Sequence, residues 1–284
     1  MGPLEFALLV AGPSIALLTD FGTQGIYVGV LKGVLSTLAP HANLIDISHD
    51  VPRGNIQAGA LMLWQASPYM PPNTVFLCVV DPGVGTARRS VAAAWPTQHC
   101  VGPDNGLFTY LVLRDGIPEV VELSDPQASN TFHGRDIYAP AAAHLASGAA
   151  LNDLGPPVEL ETFLAAPRLE ALSPDLVEGE ILHEDPFGNL ITSIGVLHLE
   201  GNQIHLTPWL GQGPTSQYPA RKLSARLPSG AELPLVRTFS DVPDGQALAY
   251  VGSSGLLEIG VNRGSAARTL DLRPGQSVKL LNKG

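Results

Sequence analysis

Asp81 and Arg88 are the first residues whose types and spacing suggest chemistry. The run from Val75 to Val80 is unbroken, apolar and rich in β-branched residues, the pattern of a strand buried on both faces of a parallel sheet. It stops at Asp81, after which Pro82, Gly83 and Gly85 force a tight turn with exposed backbone. Ligands of open α/β sheets lie beyond the carboxyl ends of the strands. Asp81 is therefore a carboxylate where such sheets do chemistry, with Arg88 and Arg89 close behind as cationic partners. A plain turn followed by a solvated Arg pair would contain the same residues, so this stretch alone leaves both readings open. The layout occurs once more. Ile15 to Leu18 make a short apolar strand that ends in Thr19-Asp20-Phe21-Gly22, a second carboxylate at a strand end.

These groups need elements to position them. Ile26, Val30, Leu31 and Leu35 recur at helical spacing, which predicts a helix over residues 25–38. A strand is expected over Asn43–Ile47, and a helix over Asn55–Ser67, stopped by Pro71-Pro72. Ser90–Ala94 and His99–Val101 read as a strand pair followed by the turn Gly102-Pro103-Asp104-Asn105-Gly106. Phe132-His133-Gly134-Arg135-Asp136 precedes an Ala-rich helix over Tyr138–Ala146. Alternating strands and helices predict an α/β sheet domain. Near Ala165 the composition changes. Beyond it the apolar segments are short, alternating and turn-rich, among them Glu178–His183, Leu190–Ile194, Gln203–Leu206, Ala247–Val251 and Ser277–Leu281. This half is expected to be an all-β domain, a small antiparallel barrel or sandwich. The expected division is an N-terminal extension at 1–14, an α/β domain at 15–165, a linker at 166–177 and a small β-barrel domain at 178–284.

Composition narrows the function. Only 15% of the residues are charged, against about 25% in ordinary soluble domains, which points to surface covered by other subunits. The formal net charge is −10 with no basic cluster, so no nucleic-acid partner is expected and a cationic small molecule is not repelled. Cys78 and Cys100 lie in apolar runs and read as buried thiols. No run approaches the length of a membrane helix, and MGPLEFALLVAG lacks a basic leader region. A cytoplasmic protein without a membrane partner is expected. The histidines outside residue 133 show no ligand spacing, so no metal is expected. Gly83-Val84-Gly85 falls short of a dinucleotide fingerprint.

Five spaced motifs carry a resemblance: TDFG at 19–22, DPGVGTARR at 81–89, GPDNG at 102–106, FHGRDIYAP at 132–140 and FGNL at 187–190. The chain resembles the S-adenosyl-L-methionine hydrolases, a family related to the fluorinating and chlorinating enzymes. The resemblance implies a Rossmann-like N-terminal domain, a β-barrel C-terminal domain and a homotrimer with active sites at subunit interfaces. S-adenosyl-L-methionine is the substrate, adenosine and methionine are the products, and no cofactor is needed. The family's Asp–Arg–His set falls on Asp81, Arg88 and His133. Asp20 falls on the position that grips the ribose hydroxyls. By their own chemistry, Phe187 suits stacking on a purine face, Asn189 can donate and accept and so fits adenine or the methionine carboxylate, and Asp185 (with Glu184 as a rival) suits the methionine ammonium. Ser253, Glu258 and the Val261 backbone fall where relatives contact the nucleoside. The halogenating relatives have Tyr at position 81, Thr at 88 and Tyr-Ser at 133–134. They also carry an insertion after the turn that follows Asp81, and it is absent here. These differences favour water over halide. At the methionine end Gly25 and Tyr27 replace small polar or acidic contacts, and Gly54 replaces a stacking Trp.

The implied reaction is in-line attack at ribose C5′. The leaving group departs from a sulfonium as a neutral thioether and needs no acid. The missing component is an oriented nucleophile. On this reading Asp81 and His133 hold the water while Arg88 fixes the Asp81 carboxylate and favours hydroxide character. The alternatives are a halogenase-like nucleophile exchanger and a nucleoside-binding or sensing protein with little turnover.

Overall fold

The computed structural model describes residues 12–211 and 213–283. Most of the stretch expected as an N-terminal extension, residues 1–11 of 1–14, lies outside the described residues. Two compact units divide between Leu164 and Ala165.

The first unit runs β1 (Ser14–Thr19), α1 (Tyr27–Leu38), β2 (Asn43–Ser48), α2 (Ile56–Ala66), β3 (Thr74–Val79), β4 (Ser90–Trp95), β5 (Gln98–Pro103), α3 (Thr109–Asp115), β6 (Glu119–Leu123), α4 (Ala139–Ala146) and β7 (Pro157–Val158). Its sheet has the order β2-β1-β3-β5-β4-β6-β7. The strands β2, β1, β3 and β5 are parallel, whereas β4, β6 and β7 add antiparallel pairs. The sheet is thus mixed. Pro96-Thr97 joins β4 to β5 directly, which only an antiparallel pair allows.

β3 shows why its sequence is apolar throughout. Val75, Leu77 and Val79 pack into one core with Leu31 and Leu35 of α1 and Ala142 and Leu145 of α4. Phe76, Cys78 and Val80 pack into the other with Leu63 of α2 and Leu111 of α3. Successive residues of a strand point to opposite faces, and here both faces carry helices. Both cysteines are free and buried, and burial pushes their thiols up, so they stay protonated. The Asn55 side chain caps α2 by accepting from the Ala58 N–H at 2.9 Å.

The second unit contains β8 (Leu169–Ser173), β9 (Leu176–Glu184), β10 (Leu190–Thr192), β11 (Leu197–Glu200), β12 (Gln203–Leu206), β13 (Ser216–Pro219), β14 (Leu223–Arg226), β15 (Glu232–Val236), β16 (Ala247–Val251), β17 (Leu257–Val261), α5 (Ala266–Leu270) and β18 (Ser277–Asn282). β10, β17, β16, β15, β14, β18 and β9 follow one another around a barrel that closes through the β10–β9 pairing. Closure removes the open edges that a sheet this small would expose. Inward residues such as Val177, Ile181, Leu257, Ile259, Val278 and Leu280 fill it. The barrel is not wholly antiparallel, because β15 and β16 pair parallel across a ten-residue connection. Within 166–177, β8 adds to the barrel beside β9.

Gly102 leaves room where β5 meets β3. A Cβ there would lie 2.3 Å from the Cys78 carbonyl oxygen. Gly102→Ala is therefore expected to destabilise the first unit by about 1–3 kcal/mol through overpacking, read as a lower midpoint in denaturant unfolding.

Candidate active site

Asp81 leaves the carboxyl end of β3, and the turn that follows brings Arg88 back to it. The Val84 and Thr86 N–H groups bond the Asp81 and Gly83 carbonyls. Gly85 takes φ +79°, and a Cβ on it would meet the Asn130 carbonyl oxygen at 2.7 Å. At Gly83 a Cβ would come to 3.4 Å from Arg88 Cγ, an ordinary contact, so the Arg88 stem runs against this turn. His133 comes from 45 residues beyond Arg88, at the start of a wide π-type turn (Gly134–Tyr138) that leads into α4. Such turns recur at functional sites.

Arg88 ties the three together. Its Nε donates to Asp81 Oδ1 at 3.0 Å, and its Nη2 donates to Asp81 Oδ2 and to His133 Nδ1, the latter at 2.9 Å. Nη1 donates to Ser90 Oγ at 2.9 Å and to the Arg89 carbonyl at 3.4 Å. A guanidinium has five N–H bonds and no acceptor, and all five are engaged here. The Ser90 hydroxyl also meets the Tyr138 hydroxyl at 3.1 Å, and the Tyr138 ring lies 5.8 Å from the Arg88 guanidinium carbon. The Arg88 and Asp81 side chains are only 11% and 5% exposed, so this ion pair is taken largely out of water.

Because Arg88 can only donate, His133 Nδ1 must accept, and the ring is neutral with its proton on Nε2. Burial first, and then the adjacent Arg88 charge, hold the His133 pKa below its ordinary value against the opposing pull of Asp81 and Asp136. Burial raises the Tyr138 hydroxyl well above the ordinary phenol range, which keeps it neutral.

Asp20 stands at the end of β1 beside β3, and its Oδ2 accepts the Gly54 N–H at 2.8 Å. The end of β1 is braced by the buried His49, which bonds Thr19 Oγ1 at 2.8 Å and Asp46 Oδ1 at 3.1 Å. The GPDNG turn is a brace as well. Asn105 Nδ2 donates to the Val80 carbonyl at 2.8 Å, and Asp104 receives Arg89 together with the Glu161 and Thr162 N–H groups. Arg89 is thus absorbed by structure, which leaves Arg88 for Asp81. Asp20, Tyr27, Arg53, Asp81, Phe132 and His133 help to line a cleft of about 560 Å³. Arg88 is not among the lining residues.

In the second unit Phe187, Asn189 and Val261 help to line a hollow of about 550 Å³. Phe187 is 81% exposed. Asp185 holds its own turn. Its Oδ1 accepts the Phe187 and Asn189 N–H groups at 2.9 and 2.8 Å, and its Oδ2 accepts Asn189 Nδ2 at 2.9 Å. Glu258 is buried, accepts the Tyr250 hydroxyl, and has its pKa raised chiefly by burial. Neither Ser253 nor Glu258 is among the residues lining that hollow. No group of three or more His, Cys, Asp or Glu among the described residues is placed to hold a metal.

Sequence reasoning overlooked Ser90 and Tyr138 as parts of the site. Ser90 had a signal, because it lies two residues beyond Arg88 at the entry to a strand, where period-two spacing puts both on one face. Tyr138 had only a weak one, as the single hydroxyl in an Ala-rich helix start.

Fold and site define a class: an α/β unit with a carboxylate, a guanidinium and an imidazole gathered at its strand ends, followed in the chain by a closed β-barrel. The chain belongs to the SAM hydroxide adenosyltransferase family. Residues 15–155 match the SAM hydroxide adenosyltransferase N-terminal domain and residues 179–279 the C-terminal domain. A Thermus thermophilus protein named (R)-S-adenosyl-L-methionine hydrolase is 40% identical over 94% of this chain and 99% of its own. A fluorinase from Actinoplanes sp. is 28% identical over 94% of this chain and 96% of its own. The crystal structure of an uncharacterised conserved protein from Thermotoga maritima is 33% identical and superposes with a TM-score of 0.82, covering 94% of this chain and 100% of that one.

Ser90→Ala leaves one Arg88 N–H and the Tyr138 hydroxyl buried without their partner. It is expected to cost about 1–3 kcal/mol of stability, and Tyr138→Phe about 0.5–1.5 kcal/mol, both read by denaturant unfolding. As both act through one network, the double variant should lose less than the sum.

Proposed function

We propose that this chain hydrolyses S-adenosyl-L-methionine to adenosine and L-methionine by attack of an activated water at ribose C5′. The observation that carries the reading is the convergence of Asp81 and His133 on one cleft, with Arg88 behind them and spent on holding them. The relatives named (R)-S-adenosyl-L-methionine hydrolase support the same substrate and point to the (R) sulfonium epimer.

The chemistry follows from the hydrogen-bond inventory. His133 Nε2–H donates to the water oxygen and orients it, since that nitrogen already carries its proton. Each Asp81 oxygen takes one Arg88 N–H and keeps a lone pair, so the carboxylate receives the water proton. The water oxygen forms its bond to C5′, and the C5′–S bond breaks with its electron pair going to sulfur. The sulfonium becomes the neutral thioether of methionine, and the proton held by Asp81 passes to solvent. Transfer of the oxonium proton to the Asp81 carboxylate cancels the positive charge the substrate brought, so a poorly hydrated site favours the reaction. Arg88 fixes the carboxylate and lends positive potential without touching the water.

Asp20, with Oδ2 on Gly54 and Oδ1 without a hydrogen bond among the described residues, suits the ribose hydroxyls. Phe187 and Asn189, with Val261, form the proposed nucleoside contacts of the barrel unit, and Ser253 and Glu258 are further ones. Asp185 is proposed for the methionine ammonium, its oxygens keeping lone pairs beyond the turn they hold. The proposed assembly is a homotrimer in which a neighbour's barrel unit completes each site. The low charge content, and the exposure of Ile26 at 75% and Phe187 at 81%, support covered surface of this kind. The proposed functional domains span 15–165 and 178–284, and the proposed location is the cytoplasm. No helix among the described residues is long and apolar enough to cross a membrane, and two free thiols suit a reducing compartment.

The test is chromatography of the purified protein incubated with each sulfonium epimer in ¹⁸O water. Adenosine carrying the label at its 5′ oxygen, together with methionine, is expected. Adding chloride or fluoride should give no 5′-halo-adenosine; its appearance would favour nucleophile exchange. Tight adenosine binding without methionine release would overturn hydrolysis. Asp81→Asn should lower kcat by about 10²–10⁴ with little change in KM; equal losses in both would assign Asp81 to binding.

The pH dependence tests His133 separately. Its folded pKa lies below the ordinary value of about 6.5, so the neutral ring survives as pH falls past that value and is lost only lower. Activity and the stability linked to this group should both decline on that acid side, where protonation removes the acceptor for Arg88. A Gln at this position can accept from Arg88 and donate to water. His133→Gln is expected to retain activity within about tenfold and to lose the acid limb, whereas His133→Ala should fall about 10²–10⁴-fold. If Gln were as inactive as Ala, His133 would be the proton acceptor instead.

A further inference from the structure

The sulfur of a sulfonium offers a protein no hydrogen-bond donor. Its two epimers share the same adenosyl group, the same methionyl group and the same charge, and differ only in which side of sulfur carries the methyl and which the lone pair. With both ends of the substrate pinned, only the shape and the ring faces of the surrounding wall can tell them apart. In-line attack also fixes where that wall must be. The reacting oxygen and carbon start about 3–3.5 Å apart, so sulfur lies about 5 Å from the water held by Asp81 and His133, on the far side of C5′.

The cleft beside those two residues has an aromatic wall. Phe21, Tyr27 and Phe132 line it, and their ring centroids lie 5.3 to 6.1 Å apart in mutually tilted and edge-to-face pairs. Gly134 packs against the cluster. A Cβ there would already touch Phe21 and Phe132, at 3.4 Å from each. Arg135, held by Asp136, covers one face of Phe132 with its guanidinium carbon 5.3 Å from the ring centroid. Tyr27, at the first position of α1, is 50% exposed, large enough and open enough to meet a ligand.

We propose that Phe21, Tyr27 and Phe132 are the wall that reads the configuration at sulfur, accepting the S-methyl group of the (R) sulfonium and refusing the (S) epimer. The inference rests on the hydrolase reading above and deepens it. The positive charge of a sulfonium spreads over the carbons bound to sulfur. A methyl laid on a ring face therefore gains apolar contact and cation–π attraction together. The opposite epimer turns its lone pair toward the electron-rich ring, which repels it, and carries its methyl away from the apolar wall. Tyr27 acts here through its ring and not its hydroxyl.

The experiment compares kcat/KM for the two separated epimers in wild type, Tyr27→Leu, Tyr27→Phe and Phe132→Leu, each checked by thermal melting. Leu keeps apolar bulk and removes the ring face. Wild type should prefer the (R) epimer. Tyr27→Leu and Phe132→Leu should each cut that preference by about tenfold, whereas Tyr27→Phe should keep it within about twofold. A preference unchanged in both Leu variants, or equal losses for the two epimers, would overturn the wall. Calorimetric binding of both epimers to Asp81→Asn, with and without Tyr27→Leu, reads the wall without turnover. Binding that favours one epimer and loses that bias with Tyr27→Leu supports the wall even if wild type cleaves neither, in which case the hydrolase reading fails alone. Equal binding of the epimers by Asp81→Asn would overturn the wall alone.

Discussion

A guanidinium that has given away all five of its N–H bonds constrains everything around it. Arg88 spends two on the oxygens of Asp81, one on His133, one on Ser90 and one on the backbone. It has nothing left for substrate or water, so it acts through what it holds. The carboxylate is fixed in plane and rotation, and the imidazole is fixed in its tautomer. A nearly buried ion pair is costly to desolvate, and removing one partner of such a pair is destabilising because the other is left uncompensated. Here each charge is answered by directed bonds, which is the condition under which burial is tolerated.

The mixed sheet supplies the geometry. Asp20 and Asp81 come from the outgoing ends of the parallel strands β1 and β3. Arg88 is on an incoming segment, two residues ahead of β4. A purely parallel sheet would put the start of every strand at the opposite edge. Because β4 runs antiparallel to β5, with Ser90 opposite Pro103, its entry lies at the edge where the parallel strands end. The two-residue β4–β5 link is therefore part of the site's design. The apolar run of β3, packed between two helical layers, holds the strand carrying Asp81 firmly, and Asn105 ties down the carbonyl just before it.

How much of this was readable from the sequence depended on range. Local periodicity located β3, α1, α2, α4 and the β4–β5 pair, because each is set by residues within a few positions. Carboxylates at strand ends followed from the same patterns. β8 was hidden by the prolines around it, and the parallel β15–β16 pairing depends on a ten-residue crossing that no local pattern encodes. In the site, Asp81 and Arg88 are seven residues apart and could be suspected together, but His133 is 45 residues beyond Arg88. Only the family resemblance joined them. Ser90 and Tyr138 escaped for a similar reason. Their hydroxyls matter through a contact across 48 residues, while their local contexts are those of an ordinary strand and helix.

The inventory also orders the proposed chemistry. Both oxygens of Asp81 already accept N–H bonds, so the carboxylate has little to gain by taking a proton from neutral water. It has far more to gain from the oxonium that appears once the C5′–O bond is under way. Proton transfer therefore follows carbon–oxygen bond formation. The nucleophile in the early part of the reaction is an oriented water, not free hydroxide. This sequence suits a sulfonium, whose leaving group needs no acid and whose positive charge is discharged as the C5′–S electron pair moves onto sulfur. What the protein contributes is direction and exclusion of competing water, and both follow from an arginine that keeps its partners still.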